Sequence, residues 1–332
     1  MASKKESGRG VSRMEENLRI SKEAKEFYEC HQFYTTIIRR LNSRGKCEGA
    51  LSKGAEGARF LVDNKQFESG LDLALLYVEV LEKSFTRIDD STIKTLSYLH
   101  KNIPQSLAKF FDFQNRAVRW SATCEGNPKT GNRVLRNEFA ANMWNAQNYG
   151  EARQQFLYGS NGKHFAQLLV EMSVNHGRPE ECDMFLAQAV LQLLTIKSLD
   201  VAKDVFQTYL IRHPKLSPNL PCEYPLVNFL HYLMTAIDNK NVNIYKALLK
   251  SYEPSLSRDP SFNHYYSVIG TNYFDIKPPP KKAGGQGLFS EILNSFMGGS
   301  ESQQNSKPPV KVNKKEATPT PPPAVDFEDD LD

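Results

Sequence analysis

Apolar side chains recur at three- and four-residue spacing along most of the chain, and the stretch from Arg178 to His213 carries the pattern most fully. Pro179 stands at a first-turn position, followed by Glu180 and Glu181 where a helix dipole favours negative charge. Two apolar stripes follow, Leu186/Val190/Leu193 and Met184/Ala187/Leu191/Leu194, and together they predict a helix covered from both sides. A second helix is predicted over 199–212, with Ala202, Val205, Phe206 and Tyr209 on one face and Pro214 just past its end. A dry helix joined by a short link to a helix with one wet face is the unit of stacked helical arrays. The expected class is therefore all-α.

Taken in order, residues 1–12 are expected to be a disordered basic tail, with Gly8, Gly10 and no periodicity. An amino-terminal array of hairpins is expected over 13–124, with helices at 13–27, 29–42, 47–62, 66–83, 90–100 and 104–121. Gly49, Gly54 and Gly57 interrupt the third helix and suggest close packing there, at about 1 kcal/mol each against Ala. The turn-forming run 124–132 reads as a loop within the array. A carboxy-terminal array follows over 125–276, with helices at 133–146, 149–158, 163–176, 179–194, 199–212, 226–238, 242–252 and 261–274. Between the last hairpins, Pro214, Pro218, Pro221 and Pro225 break any helix. From 277 to 332 a disordered tail is expected, ending in acidic residues. One amphipathic island at 287–297 interrupts it, with Leu288, Ile292, Leu293 and Phe296 on one helical face. A docking helix and a membrane anchor are the two readings of that island, and its low flanking charge favours docking.

Composition mainly excludes. A formal net charge of +4 over 332 residues does not point to nucleic acid, and the 33 Phe and Tyr fall on core stripes rather than between cations. Five scattered Cys without a CxxC pair read as free thiols. No apolar run approaches a membrane span and the start lacks a signal-peptide core, so a location in the cytosol, or shared between cytosol and nucleus, is expected, without direct membrane insertion. The Gly126-to-Gly131 spacing resembles a phosphate loop, but Asn132-Arg133 replaces the required Lys and Ser/Thr. Cys30 and His31 are adjacent and diverge on a helix, and the other six His are expected at the surface or at helix ends. Neither an enzyme, a cofactor nor a metal site is expected. Arg39 and Arg40 with Arg44 and Lys46 make a compact basic cluster, which is either a solvated helix end or a site for an acidic partner.

Several strings, in order, resemble the Golgi-to-ER traffic protein four family, the helical scaffold of the complex that delivers tail-anchored membrane proteins. They are Tyr28-Glu29-Cys30-His31-Gln32-Phe33-Tyr34-Thr35-Thr36, Arg116-Ala117-Val118-Arg119-Trp120-Ser121, Asn148-Tyr149-Gly150-Glu151-Ala152-Arg153, Ala187-Gln188-Ala189-Val190-Leu191-Gln192 and Pro254-Ser255-Leu256-Ser257-Arg258-Asp259-Pro260. The chain departs from the pattern at Cys30 and Thr35, where the family string has Ala and Arg, and at the glycine-rich third helix. The resemblance implies a right-handed α-solenoid of tetratricopeptide-like hairpins. It also implies an amino-terminal site for a tail-anchor targeting ATPase and a carboxy-terminal site for a ubiquitin-like adaptor or BAG-family scaffold. Tyr28, His31, Gln32, Arg39 and Arg40 are the residues expected to meet the ATPase. For the adaptor, Leu216, Leu220, Tyr224, Phe229 and Tyr232 are expected to line a groove beside the proline-rich segment. That segment reads either as a clamp, with a short β-hairpin as its form, or as a spacer only. A scaffold subunit of another assembly is the alternative function.

Overall fold

The computed structural model describes residues 2–84 and 87–277, with side chains from residue 13 onward. Helices α1 (Ala2–Glu23), α2 (Phe27–Ser43), α3 (Cys47–Asp63) and α4 (Phe67–Ser84) begin the chain, followed by α5 (Asp90–Asn102) and α6 (Phe110–Thr123). Next come α7 (Arg133–Asn145), α8 (Tyr149–Leu157) and α9 (Gly162–His176), then α10 (Cys182–Thr195) and α11 (Leu199–Arg212). Helices α12 (Pro225–Asp238), α13 (Val242–Ser251), the single turn α14 (Glu253–Leu256) and α15 (Phe262–Phe274) complete the array. Among the described residues every regular element is helical, and successive helices stack along one continuous core from Leu18 to Phe274.

One turn, used six times, makes the hairpins. Lys25, Gly45, Lys65, Gln147, Lys197 and Lys240 each sit just past a helix in the left-handed region, with φ between 49° and 70°. At Lys197 the amide N–H of Lys197 donates to the Leu194 carbonyl at 3.1 Å and that of Ser198 to the Leu193 carbonyl at 3.0 Å. The same pair of bonds recurs at the other five sites and satisfies carbonyls that the helix end leaves open. The chain then reverses in three residues, so adjacent helices must lie antiparallel.

Packing between the hairpins is set by a few polar clusters and by close approaches at glycines, Gly57 and Gly162 among them. A Cβ on Gly57 would sit 2.6 Å from the Tyr34 ring and 3.0 Å from Leu73, so α2 and α4 press on α3 as the glycine spacing suggests. Beside it the Glu56 carboxylate accepts from Tyr34 Oη at 2.8 Å, Lys22 Nζ at 2.6 Å and Lys53 Nζ at 3.0 Å, tying α1, α2 and α3 together. Burial opposes that charge, but the three donors outweigh it and hold the carboxyl down at about 2. In mid-array, Glu171 of α9 accepts from Trp144 Nε1 at 2.8 Å and Tyr149 Oη at 2.7 Å. At the far end, Arg258 grips the buried Asp183 through both guanidinium nitrogens, at 2.6 and 3.2 Å.

Several expectations change. The backbone is helical from Ala2, where a tail through residue 12 and a helix from residue 13 were expected. Extending an existing helix needs no new nucleus, which outweighs two glycines. The helix expected from 104 starts at Phe110, because residues 104–109 close as isolated turns. His100 stands in the last turn of α5, a helix end as expected, but not at the surface. It is buried against the Phe139 ring, with Nε2 donating to Gln114 Oε1 at 2.8 Å, and burial pushes its pKa down to about 4. His213 is likewise buried; its Nδ1 accepts from the Lys215 N–H at 3.2 Å and its Nε2 reaches Ser173 Oγ at 3.3 Å.

Candidate interaction sites

Two exposed regions, far apart along the array, collect the residues singled out from the sequence. At α2 the core face is Cys30, Tyr34, Ile37 and Ile38, and helical geometry turns Tyr28, Gln32 and Arg39 to the opposite side with His31 at their edge. Tyr28 is 71% exposed, unusual for an aromatic residue with no covering neighbour. Arg40 points elsewhere: it projects about 120° from Tyr28 around the helix, and its guanidinium rests on Met14 Sδ of α1 at 3.0 Å. Arg39 lies near enough to the Glu79 carboxylate of α4 to help depress its pKa, behind the stronger effect of Lys83. The face is therefore a tyrosine with polar neighbours and one outward arginine, flanked by a second arginine that leans on α1.

The second region is a groove of about 390 Å³ between α11 and α12, closed on one side by the proline-rich segment. Phe206, Leu210 and Met234 form its apolar floor, Ile211 and Leu220 its rim. Lys203 of α11 and Asp238 of α12 pair at 2.8 Å and seal one end. The Phe206 and His231 rings lie nearly parallel, 6.3 Å apart, and hold the two helices at this spacing.

The proline-rich segment is ordered but contains no strand, so the β-hairpin expected there is corrected. Its prolines lack the N–H groups a ladder needs. Its fixings are local: buried His213 at one end, and at the other Asn228, which accepts from the Cys222 N–H at 2.8 Å and donates to the Cys222 carbonyl at 2.7 Å. Of the expected groove residues, Leu220 lines the groove, Tyr232 is exposed on α12 outside its lining, and Tyr224, half-buried at the end of the arm, is also outside it. Leu216 is buried and anchors the arm. Phe229 is a correction. It is wholly buried with its ring 5.7 Å from both Tyr252 and Tyr266, because it falls on the core face of an almost entirely apolar helix.

Sequence reasoning missed Ile211, His231 and Met234. Ile211 is 68% exposed and lies off the buried stripe of α11, which is the signal that could have found it. The tail residues Leu288, Ile292, Leu293 and Phe296 lie outside the described residues. Among the described residues no cluster of three His, Cys, Asp or Glu could hold a metal ion, and no helix is long and apolar enough to cross a membrane.

A stacked helical-hairpin array with an exposed polar face on α2 and an apolar groove between α11 and α12 defines the class, a solenoid scaffold. The comparisons give the family. The model of Golgi to ER traffic protein 4 matches residues 44–296. A Golgi to ER traffic protein 4 homolog of Takifugu rubripes is 38% identical over 292 residues, covering 88% of this chain and 90% of that protein. The homolog of Homo sapiens is 36% identical over 300 residues, covering 90% and 91%. The chain belongs to the Golgi to ER traffic protein 4 family. The crystal structure of C. therm. Get4 superposes with a TM-score of 0.72 over 88% of this chain and 96% of that one, and at 18% identity it speaks for the fold.

Proposed function

We propose that the chain is a cytosolic bridge between a tail-anchor targeting ATPase and a ubiquitin-like or BAG-family adaptor, promoting handover of tail-anchored proteins for insertion into the ER membrane. Family membership gives the traffic role. The observation that carries the finer reading is the pairing of two unlike surfaces on one stacked array, a polar and basic face on α2 and an apolar groove at α11 and α12. A bridge needs sites that two partners can occupy at once without touching. The amino-terminal array serves the ATPase and the carboxy-terminal array the adaptor, with the ordered arm acting as a clamp. Its fixed backbone reduces the entropy lost when a partner seats.

Purified ATPase tests the first site. Exposed arginines act chiefly through association rate and are screened by salt. Arg39→Glu with Arg40→Glu should therefore weaken binding at low salt by about tenfold or more, equal to about 1.4 kcal/mol, and flatten the salt dependence. Unchanged binding at low salt would remove this face from the account.

A further inference from the structure

We infer that the chain's own segment 287–297 docks as a helix in the α11–α12 groove, so that an adaptor must displace it. The inference rests on reading that groove as a helix-binding surface. Placed on a helix, Leu288, Ile292, Phe296, Phe289 and Leu293 fall within an arc of about 140°, while Ser290, Glu291 and Asn294 fall on the other side and Ser295 at the edge of the arc. From Leu288 to Phe296 that apolar face is about 12 Å long, and the groove wall from Lys203 to Ile211 spans the same eight residues of helix, again about 12 Å. The charges also agree. Lys203 and Asp238 neutralise one another, leaving an apolar floor that offers no counter-charge to a charged peptide. The segment's single charge, Glu291, lies on its outer side.

The exit of the chain brings the segment within reach. Asn272 Nδ2 donates to the Thr195 carbonyl at 2.8 Å, and the Tyr273 hydroxyl feels the Asp200 carboxylate, one turn before Lys203 on α11. Phe274 stacks on Tyr245 of α13, 4.5 Å between centroids, and beyond the left-handed Asp275 the Ile276 N–H donates back to the Gly270 carbonyl at 3.1 Å. These contacts place the end of α15 beside the link from α10 to α11, the end of α11 nearest Lys203 and its partner Asp238. The eleven residues from Lys277 to Leu288 can span about 35 Å, well over the groove's length. A short tether supplies an effective concentration near 1 mM, so an intrinsic Kd of only about 0.1 mM would fill the groove about nine-tenths of the time. Displacing the segment would then weaken apparent adaptor affinity about tenfold.

Hydrogen exchange on the full chain, without any partner, tests the docking. Residues 287–297 should exchange at least about tenfold more slowly than residues 300–332, independently of protein concentration. Ile211→Glu, at an exposed groove position that need not disturb the core, and Phe296→Asp should each abolish that protection. Three results would overturn the inference: an unprotected segment in the unaltered chain, protection that survives Ile211→Glu, or protection that rises with concentration, which would mean docking onto a second copy. Adaptor binding separates this from the groove reading. Loss with Ile211→Glu supports the groove whether or not the segment is protected, and a gain of about tenfold with Phe296→Asp supports the competition.

Discussion

Lys197 connects the two helices of the hairpin from which the array is built, and it holds a conformation that an L side chain resists. At φ 59° its Cβ crowds the following carbonyl, a strain of about 1–2 kcal/mol that glycine lacks. Replacing it with glycine also loosens the unfolded chain, which returns about 0.4–1 kcal/mol of that gain. Lys197→Gly should therefore stabilise the protein by about 0.5–1 kcal/mol, and Lys197→Ala, which keeps the Cβ, should change little. The mirror experiment is at Gly45, φ 70°, where an added Cβ meets nothing within 4 Å, so Gly45→Ala should cost about as much as Lys197→Gly gains. Urea unfolding followed by circular dichroism measures all three midpoints against the parent. If Gly and Ala at position 197 give the same midpoint, or if Gly lowers it, the repeated left-handed turn is not a strained element and the account of the hairpins fails.

His100 gives a pH prediction. Its pKa falls from an ordinary 6.5 to about 4 by burial, so the unfolded chain binds more protons between those values and stability drops as pH falls through that window. The contribution is about 3 kcal/mol, complete above pH 6.5 and lost by about pH 4, and His100→Gln should flatten that part of the pH–stability curve. At the far end, Arg258→Ala should destabilise by about 3–5 kcal/mol by leaving the buried Asp183 carboxylate without its partner, with Arg258→Lys intermediate because it cannot bond both oxygens; urea midpoints would read both.

The fold was legible because most helices carry a strong three- and four-residue pattern, and α11 even has the bounds expected for it. What escaped were features made by neighbours distant in sequence. His100 closes a helix, which suggests solvent, but Phe110 and Phe139 cover it from two other helices. Phe229 stands two residues before groove-lining His231 and three before exposed Tyr232, and the packing of Tyr252 and Tyr266 assigns it to the core. The reversing turns were illegible for another reason: five of the six use Lys or Gln where glycine is the usual signal. For the interaction sites, the exposed face of α2 could be read from one helix alone. The groove could not, since Ile211 and Met234 meet only when α11 and α12 are packed.

If one array holds two partners at separate sites, sedimentation velocity with purified ATPase and adaptor shows it directly. The unaltered chain should form a ternary species. At concentrations near the Kd values of the unaltered chain, Arg39→Glu with Arg40→Glu should leave chiefly the adaptor complex, and Ile211→Glu or deletion of residues 215–220 chiefly the ATPase complex, each chain still folded by circular dichroism. A chain that binds the two partners in competition, or a groove variant that loses both together, would contradict the bridge.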